Sequence, residues 1–273
     1  MRGTTASILF GCALAACGGS SSTPDAPGGT VDAPAGTVDA PVNTPDAGGP
    51  FDCEGKPLPT QAPGTITVGG VTESITLSGR TPVQGTMVSA FKNGGSNPLV
   101  TATSDANGAY TLDASTGGAP IDGYVLGHRG QAGNINYIDT YLYPPAPLAG
   151  NTDKGEILLL SSGSGGTFST LQSFAGATQT GGKGFVAVII ADCNQMPIAG
   201  AKVTTTPGGD VRYNGSSGLP DSGANETQPD GIAYVFNLTP GTVTVGATVT
   251  GHTMRAHDID VRADVITTTV VQP

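Results

Sequence analysis

Few residues in this chain could do chemistry. Of its three histidines, two lie close together in His252-x-x-x-x-His257-Asp258-x-Asp260. Imidazole and carboxylate groups of this kind can ligate zinc. On an extended strand, however, Asp258 and Asp260 point to one side while His257, Ile259 and Val261 point to the other. The spacing therefore favours a capped strand with an acidic outer face over a metal site. Asp105-x-Asn107-Gly108 resembles the start of a calcium loop, but the later glutamate that would close the shell is lacking, and an Asx turn is the favoured reading. Neither a Gly-x-Ser-x-Gly elbow nor a His-Glu-x-x-His pair occurs. No motif calls for a metal or cofactor, no catalytic residue is assigned, and the chain reads as non-enzymatic.

The best ligand-binding candidate is Asn136-Tyr137-Ile138-Asp139-Thr140-Tyr141-Leu142-Tyr143. With a period of two, Tyr137, Asp139, Tyr141 and Tyr143 share one face, and Ile138, Thr140 and Leu142 the other. If the aliphatic face is core, three tyrosines and a carboxylate line the outside, a surface suited to sugar rings or a protein partner. The competing reading packs this face against the second domain or against Phe168–Phe174, because exposed aromatic stripes are usually covered. The absence of Trp weakens the glycan reading.

Cysteine usage points to export. Cys53 and Cys193 form an even pair for an oxidising compartment, and a disulfide between them would join the start of the first folded unit to the second. Two separate thiols are the alternative. Cys12 and Cys17 sit in or beside a short apolar run from Ala6 to Ala16. That run is too short to span a membrane, which takes ~20 apolar residues, and has the length of a secretory signal. Leu14-Ala15-Ala16-Cys17 resembles the lipobox of bacterial lipoproteins. The resemblance implies cleavage before Cys17 and lipidation of its thiol, with acyl chains giving stable anchoring. Gly18 is not the Asp that often retains lipoproteins in the inner membrane, so the outer membrane is expected, on a side the sequence does not fix.

After Cys17 comes a seven-residue repeat: Thr23-Pro-Asp-Ala-Pro-Gly-Gly, Thr30-Val-Asp-Ala-Pro-Ala-Gly, Thr37-Val-Asp-Ala-Pro-Val-Asn and Thr44-Pro-Asp-Ala-Gly-Gly-Pro. Proline in every unit excludes a coiled coil. With nothing to bury, this linker is expected to be disordered. Extended at ~3.1 Å per residue, it would lift folded material roughly 100 Å off a membrane.

Charge is low at 12%, Gly and Pro are high at 43 and 21 residues, and the formal net charge is -10. This is the composition of an exported, turn-rich β protein. The acidity argues against nucleic acid, whose phosphates need Lys and Arg. Short β-rich runs alternate with Gly/Pro/Asn turns throughout the remainder, which predicts sandwiches or barrels. One helix is expected, Thr167–Ala175, from the spacing of Phe168, Leu171 and Phe174.

Two stretches share a pattern. Pro82-Val-Gln-Gly85-Thr86-Met-Val88 precedes Thr103-Ser-Asp105-Ala-Asn107-Gly108-Ala-Tyr110; Pro197-Ile-Ala-Gly200-Ala201-Lys-Val203 precedes Asp230-Gly231-Ile-Ala-Tyr234. These residues resemble carboxypeptidase regulatory-like domains, with Thr86 standing where the family usually has Ala and an insert at Pro207–Asn225. The resemblance implies transthyretin-like β-sandwiches that are non-catalytic appendages. The expected architecture is all-β: signal peptide 1–16, lipidated cysteine and disordered linker 17–50, a first Ig/transthyretin-like sandwich 51–162, an interdomain segment 163–182 and a second sandwich 183–273. The expected role is a membrane-anchored envelope lipoprotein that binds a glycan, a peptide or an envelope protein. The alternative is a structural spacer or subunit of an envelope assembly; an enzyme of unrecognised type is the least favoured reading, because His, Asp and Ser residues do not converge in any motif.

Overall fold

The computed structural model describes residues 49–76 and 79–273. The signal-like segment, Cys17 and the repeat linker up to residue 48 lie outside the described residues, as does Leu77.

The first half holds β1 (Thr65–Thr76), β2 (Gly79–Pro82), β3 (Met87–Lys92), β4 (Val100–Thr103), β5 (Ala109–Ser115), β6 (Gly123–His128), β7 (Gln131–Ala132), β8 (Ile135–Asn136), β9 (Thr140–Tyr143) and β10 (Ile157–Leu159). Then come α1 (Thr167–Ala175) and the second half: β11 (Gly184–Ile190), β12 (Lys202–Thr206), β13 (Asp210–Asn214), β14 (Pro220–Asp221), β15 (Ile232–Leu238), β16 (Gly241–Val249), β17 (His252–Thr253), β18 (His257–Val261) and β19 (Ile266–Val271). The protein is all-β, built as two sandwiches.

Each sandwich is assembled the same way. In the first, β1 pairs antiparallel with β5 and parallel with β10. In the second, β11 pairs antiparallel with β15 and parallel with β19. The facing sheets run β3-β6-β9 and β12-β16-β18, all antiparallel. The shared motif lies at the same place in both. Gly108 accepts the Thr72 N–H and Gly231 the Ile190 N–H, each at 2.8 Å, with φ of +74° and +68°. A Cβ on Gly108 would stand 2.4 Å from the Thr72 carbonyl oxygen, and one on Gly231 2.5 Å from that of Ile190. Positive φ and close backbone approach both require glycine there. Thr86, where the other copy has Ala201, is fully buried and donates its hydroxyl to the Val83 carbonyl at 3.2 Å.

The sandwiches are not separate beads. β9 pairs in parallel register with β19, Thr140 beside Ile266 through Tyr143 beside Thr269. This fuses one sheet of each sandwich into a nine-stranded sheet, β14-β13-β15-β11-β19-β9-β6-β3-β4. Its two faces are used differently along its length. Val88, Ala90 and Val125 face Ile66, Leu112 and Leu159 in the first core. Val186, Val188 and Ile190 face Val203, Val245 and Ile259 in the second. The opposite side of β11 carries Phe185 and Ala187 against Leu158, Leu160 and α1. This explains why Gly-Phe-Val-Ala-Val-Ile-Ile of β11 is apolar without alternation: both faces are covered.

The helix occupies the expected residues, but its buried positions differ from the i, i+6 expectation. Leu171 and Ala175 are buried, while Phe174 is 43% exposed. A 3.6-residue turn carries the core stripe from Leu171 to the fourth residue on, not the third. Gly176 in the left-handed region ends the helix, and the Ala177 N–H reaches back to the Gln172 carbonyl.

Candidate functional site: the seam between the sandwiches

The tyrosine stripe falls on the seam, and the structure divides it. Tyr141 and Tyr143 lie on β9 and turn toward the second core, whereas Tyr137 packs on the first core with Leu142. Regular alternation begins only at Thr140. Before it the chain crosses between sheets, with the Ile138 N–H bonded to the Leu160 carbonyl and the Asp139 carbonyl accepting from Ile266 N–H. The Asp139 carboxylate pairs with His128 Nδ1 at 2.7 Å.

Tyr124 of β6 and Arg262, just past β18, complete the cluster. Tyr124 lies 5.5 Å from Tyr141 and 5.2 Å from Tyr143, between ring centroids. The Arg262 guanidinium stands 4.3 Å over Tyr141 and 4.7 Å over Tyr124, a cation–π arrangement with two rings. It also donates to the Tyr143 hydroxyl at 3.2 Å and to the Asp260 carbonyl at 2.9 Å, and pairs with the Asp260 carboxylate at 2.8 Å. Burial raises the pKa of Tyr143 and Tyr141 despite the nearby cation, so both remain neutral phenols. Chemically the cluster is a joint: it has a cation, rings and hydroxyls, but no nucleophile paired with a base. Tyr124 and Arg262 were not singled out from the sequence. The available signal was that Arg262 ends the Asp258-x-Asp260 alternation, opposite in charge to both acids.

The two neighbouring histidines serve different elements. His252 stacks on Phe51 with centroids 3.3 Å apart and pairs with Glu54 at 3.1 Å. His257 Nε2 lies 2.7 Å from the Thr269 hydroxyl. Asp258 and Asp260 are exposed, while Ile259 and Val261 are buried. Among the described residues no group of three or more His, Cys, Asp or Glu converges on a possible metal position. Asp105 forms an Asx turn, its carboxylate accepting from the Asn107 and Ala109 N–H groups.

No family model matches this sequence, and no curated protein does. Among solved structures, the shaft pilin SpaA from Lactobacillus rhamnosus GG is similar over 77% of this chain and 98% of its own, at 12% identity and a TM-score of 0.25. GBS52, the minor pilin of Streptococcus agalactiae, is similar over 76% and 94%, at 12% identity and a TM-score of 0.24. The Bacillus anthracis TIE protein is similar over 76% of this chain and 34% of its own, at 13% identity and a TM-score of 0.24. Likeness of this order carries no information about activity, ligand or assembly.

A second feature lies at the other end of the second sandwich. Cys53 and Cys193 form a disulfide, with Cα atoms 5.6 Å apart. Around it, residues 50–56 make a strap on the second half. The Cys193 N–H bonds to the Pro50 carbonyl, Glu54 accepts from the Thr253 N–H at 2.7 Å, and Arg255 donates to the Lys56 carbonyl at 2.7 Å. The Glu54 carboxyl is held below the usual carboxylate range, chiefly by the Thr253 N–H and then by His252. At the opposite pole, where β11 and β19 begin, a cleft of about 220 Å³ is lined by Ile138, Phe168, Phe185, Gln172, Lys183 and Asp264 among others. Its polar rim is engaged in the fold: Gln172 accepts from the Gln179 N–H and Asp264 from the Gly182 N–H.

Proposed function

We propose that the chain is a non-catalytic envelope module, lipid-anchored at Cys17 in a bacterial outer membrane, whose two sandwiches present a protein- or peptide-binding surface as one rigid body. The observation that carries this reading is the nine-stranded sheet shared by both sandwiches. A hinge between them would have to break β9 from β19 and free Arg262 from three tyrosines. The strap supports it too, since the chain leaves the fold beside a disulfide rather than from a loose end. The carboxypeptidase regulatory-like assignment rests on the motif both sandwiches repeat. A glycan role for Tyr141 is the weaker option, because Arg262 covers a face of that ring. A spacer within an envelope assembly is the second reading, favoured by the same rigidity.

Mass spectrometry of the mature N-terminus, with fractionation of the envelope, tests the anchor. A diacylated Cys17 and release of a Cys17→Ser variant from the membrane are expected. An unmodified thiol in a soluble protein would overturn the anchored reading. Cross-linking in intact cells followed by identification of the attached species separates binder from spacer: a defined protein partner supports the first, while cross-links to repeated copies of this chain support the second.

A further inference from the structure

We propose that the free edge of β18, with the apolar sheet face beside it, accepts an extended basic segment of a partner protein as an added strand. The inference rests on the reading of the chain as a non-catalytic interaction module. Its basis is the internal equivalence. β9 and β18 hold the same place in the two sandwiches, each pairing antiparallel with β6 or β16. The outer edge of β9 is completed by β19. Among the described residues no strand completes the outer edge of β18. The Asp260 carbonyl points away from β16, where Arg262 and the Tyr143 hydroxyl now donate to it, so an added strand would exchange those donors for its own N–H. Alternation along an antiparallel ladder turns the Asp258 backbone groups and the Asp260 N–H to that same side.

The sheet face beside this edge differs from its counterpart. The outer positions of β12 and β16 are Lys202, Thr204, Thr206, Thr244 and Thr248, as expected for a solvated face. The equivalent positions of β3 and β6 are Met87, Ser89, Phe91, Tyr124 and His128, with Leu126 between the last two. Met87 is 44% exposed, and Phe91, Leu126 and Tyr141 are half-buried. A strand added to β18 would set alternate side chains on Leu126 and Tyr141. The others would stand beside the exposed carboxylates of Asp258 and Asp260.

Charge selects the occupant. Asp260 is paired with Arg262, while the Asp258 carboxylate accepts from the Thr244 hydroxyl, and the chain carries a formal charge of -10, so lysine and arginine complement the edge at Asp258. A second copy is disfavoured by the same charge. Moreover, its strand equivalent to β19 is β10, and the chain at residues 138–140 already lies along that edge, the Ile138 N–H donating to the Leu160 carbonyl.

The test titrates the intact chain in detergent with a short peptide of alternating lysine and valine, using a lysine–serine peptide as control. Hydrogen exchange and dissociation constants are the readouts. The lysine–valine peptide should slow exchange at Asp258 and Asp260, and Leu126→Ser should weaken it about tenfold, the equivalent of one lost apolar contact. Asp258→Asn should weaken it several-fold and flatten its salt dependence. Should Leu126→Ser lower the melting temperature, Met87→Ser at the exposed position replaces it. Equal binding of both peptides, or binding without protection at Asp258 and Asp260, would overturn the proposal. So would self-association abolished by Leu126→Ser, which assigns the face to a second copy. None of these results bears on lipidation of Cys17, so failure here is distinguishable from failure of the anchored reading.

Discussion

Ser104 and Thr227 make the same bridge in the two sandwiches. The Ser104 hydroxyl accepts from the Thr86 N–H at 3.0 Å and donates to the Val83 carbonyl at 2.8 Å. The Thr227 hydroxyl accepts from the Ala201 N–H at 2.9 Å and donates to the Ile198 carbonyl at 2.7 Å. Both residues are nearly fully buried. Ser104→Ala leaves the buried Thr86 N–H unpaired, while the Val83 carbonyl keeps the Thr72 and Thr86 hydroxyls. Thr227→Val removes the hydroxyl from both the Ala201 N–H and the Ile198 carbonyl. Each should cost about 1–3 kcal/mol, the second toward the upper end. Denaturant melts of the single variants and the pair check this; a neutral outcome at either site would remove the bridge from the account of stability.

Gly108→Ala and Gly231→Ala should be harsher than most surface substitutions. Each adds a methyl group against a strand carbonyl and forces a side chain into positive φ. A loss of about 2–4 kcal/mol is expected from strain and the broken Thr72 or Ile190 hydrogen bond. Alanine at the open, exposed Gly94, also at positive φ, is the control that separates φ strain from the clash.

Arg262→Met should loosen the seam. It keeps the length of the side chain but removes the cation over Tyr124 and Tyr141 and the donor to Tyr143. The loss should be about 1–3 kcal/mol. It should also accelerate hydrogen exchange in β9 and β19 before the rest of the sheet. Uniform acceleration across both sandwiches would argue that Arg262 is not specific to the joint.

Acidification should weaken the fold near the usual histidine range. Burial holds His257 below its ordinary value of 6.5, against the pull of Asp258, the Arg255 backbone and Asp122. The unfolded chain therefore takes up a proton first as pH falls. The stability is present above the unfolded value and is lost as pH drops through it toward the folded one. Melting temperatures between about pH 7.5 and 5.5 should decline, and His257→Gln should flatten that decline. Glu54, with its lowered value, acts in the same direction but at more acidic pH.

Removing the disulfide by Cys53→Ser should cost about 4–5 kcal/mol in the chain-entropy model, for a sequence separation of 140. Reduction of the unmodified protein should lower the melting temperature as the substitution does. An unchanged melt would show that the contacts of Phe51 and Glu54 hold the strap by themselves.

What the sequence disclosed was local. The β11 and β15 strands, the Asx turn at Asp105 and the helix from Thr167 depend on residues near one another, and their patterns were readable. β13 was not, because Asp-Val-Arg-Tyr-Asn lies within what reads as an insert and carries little apolar alternation. The pairing of β9 with β19 joins residues more than a hundred positions apart, and nothing in Thr140–Tyr143 names that partner. The seam was half legible: alternation placed Tyr141 and Tyr143 on one face, but it could not show that Tyr137 precedes a crossing between sheets or that Arg262 would lie over the rings. The Cys53–Cys193 pairing was open from sequence, since spacing gives no distance.

The strap also settles how the molecule transmits tension. Cys53 and Cys193 close a covalent ring that contains the whole first sandwich, α1 and β11. Pro273 lies at the same disulfide, its carbonyl 3.7 Å from Cys53 Sγ. A pull applied between the residues before Cys53 and Pro273 passes through the sulfur bridge and can lengthen only the stretch from Cys193 to Pro273. The ring stays closed under any load that leaves that bond intact. Breaking it would release roughly 500 Å of hidden contour, at ~3.3–3.6 Å per extended residue over a separation of 140.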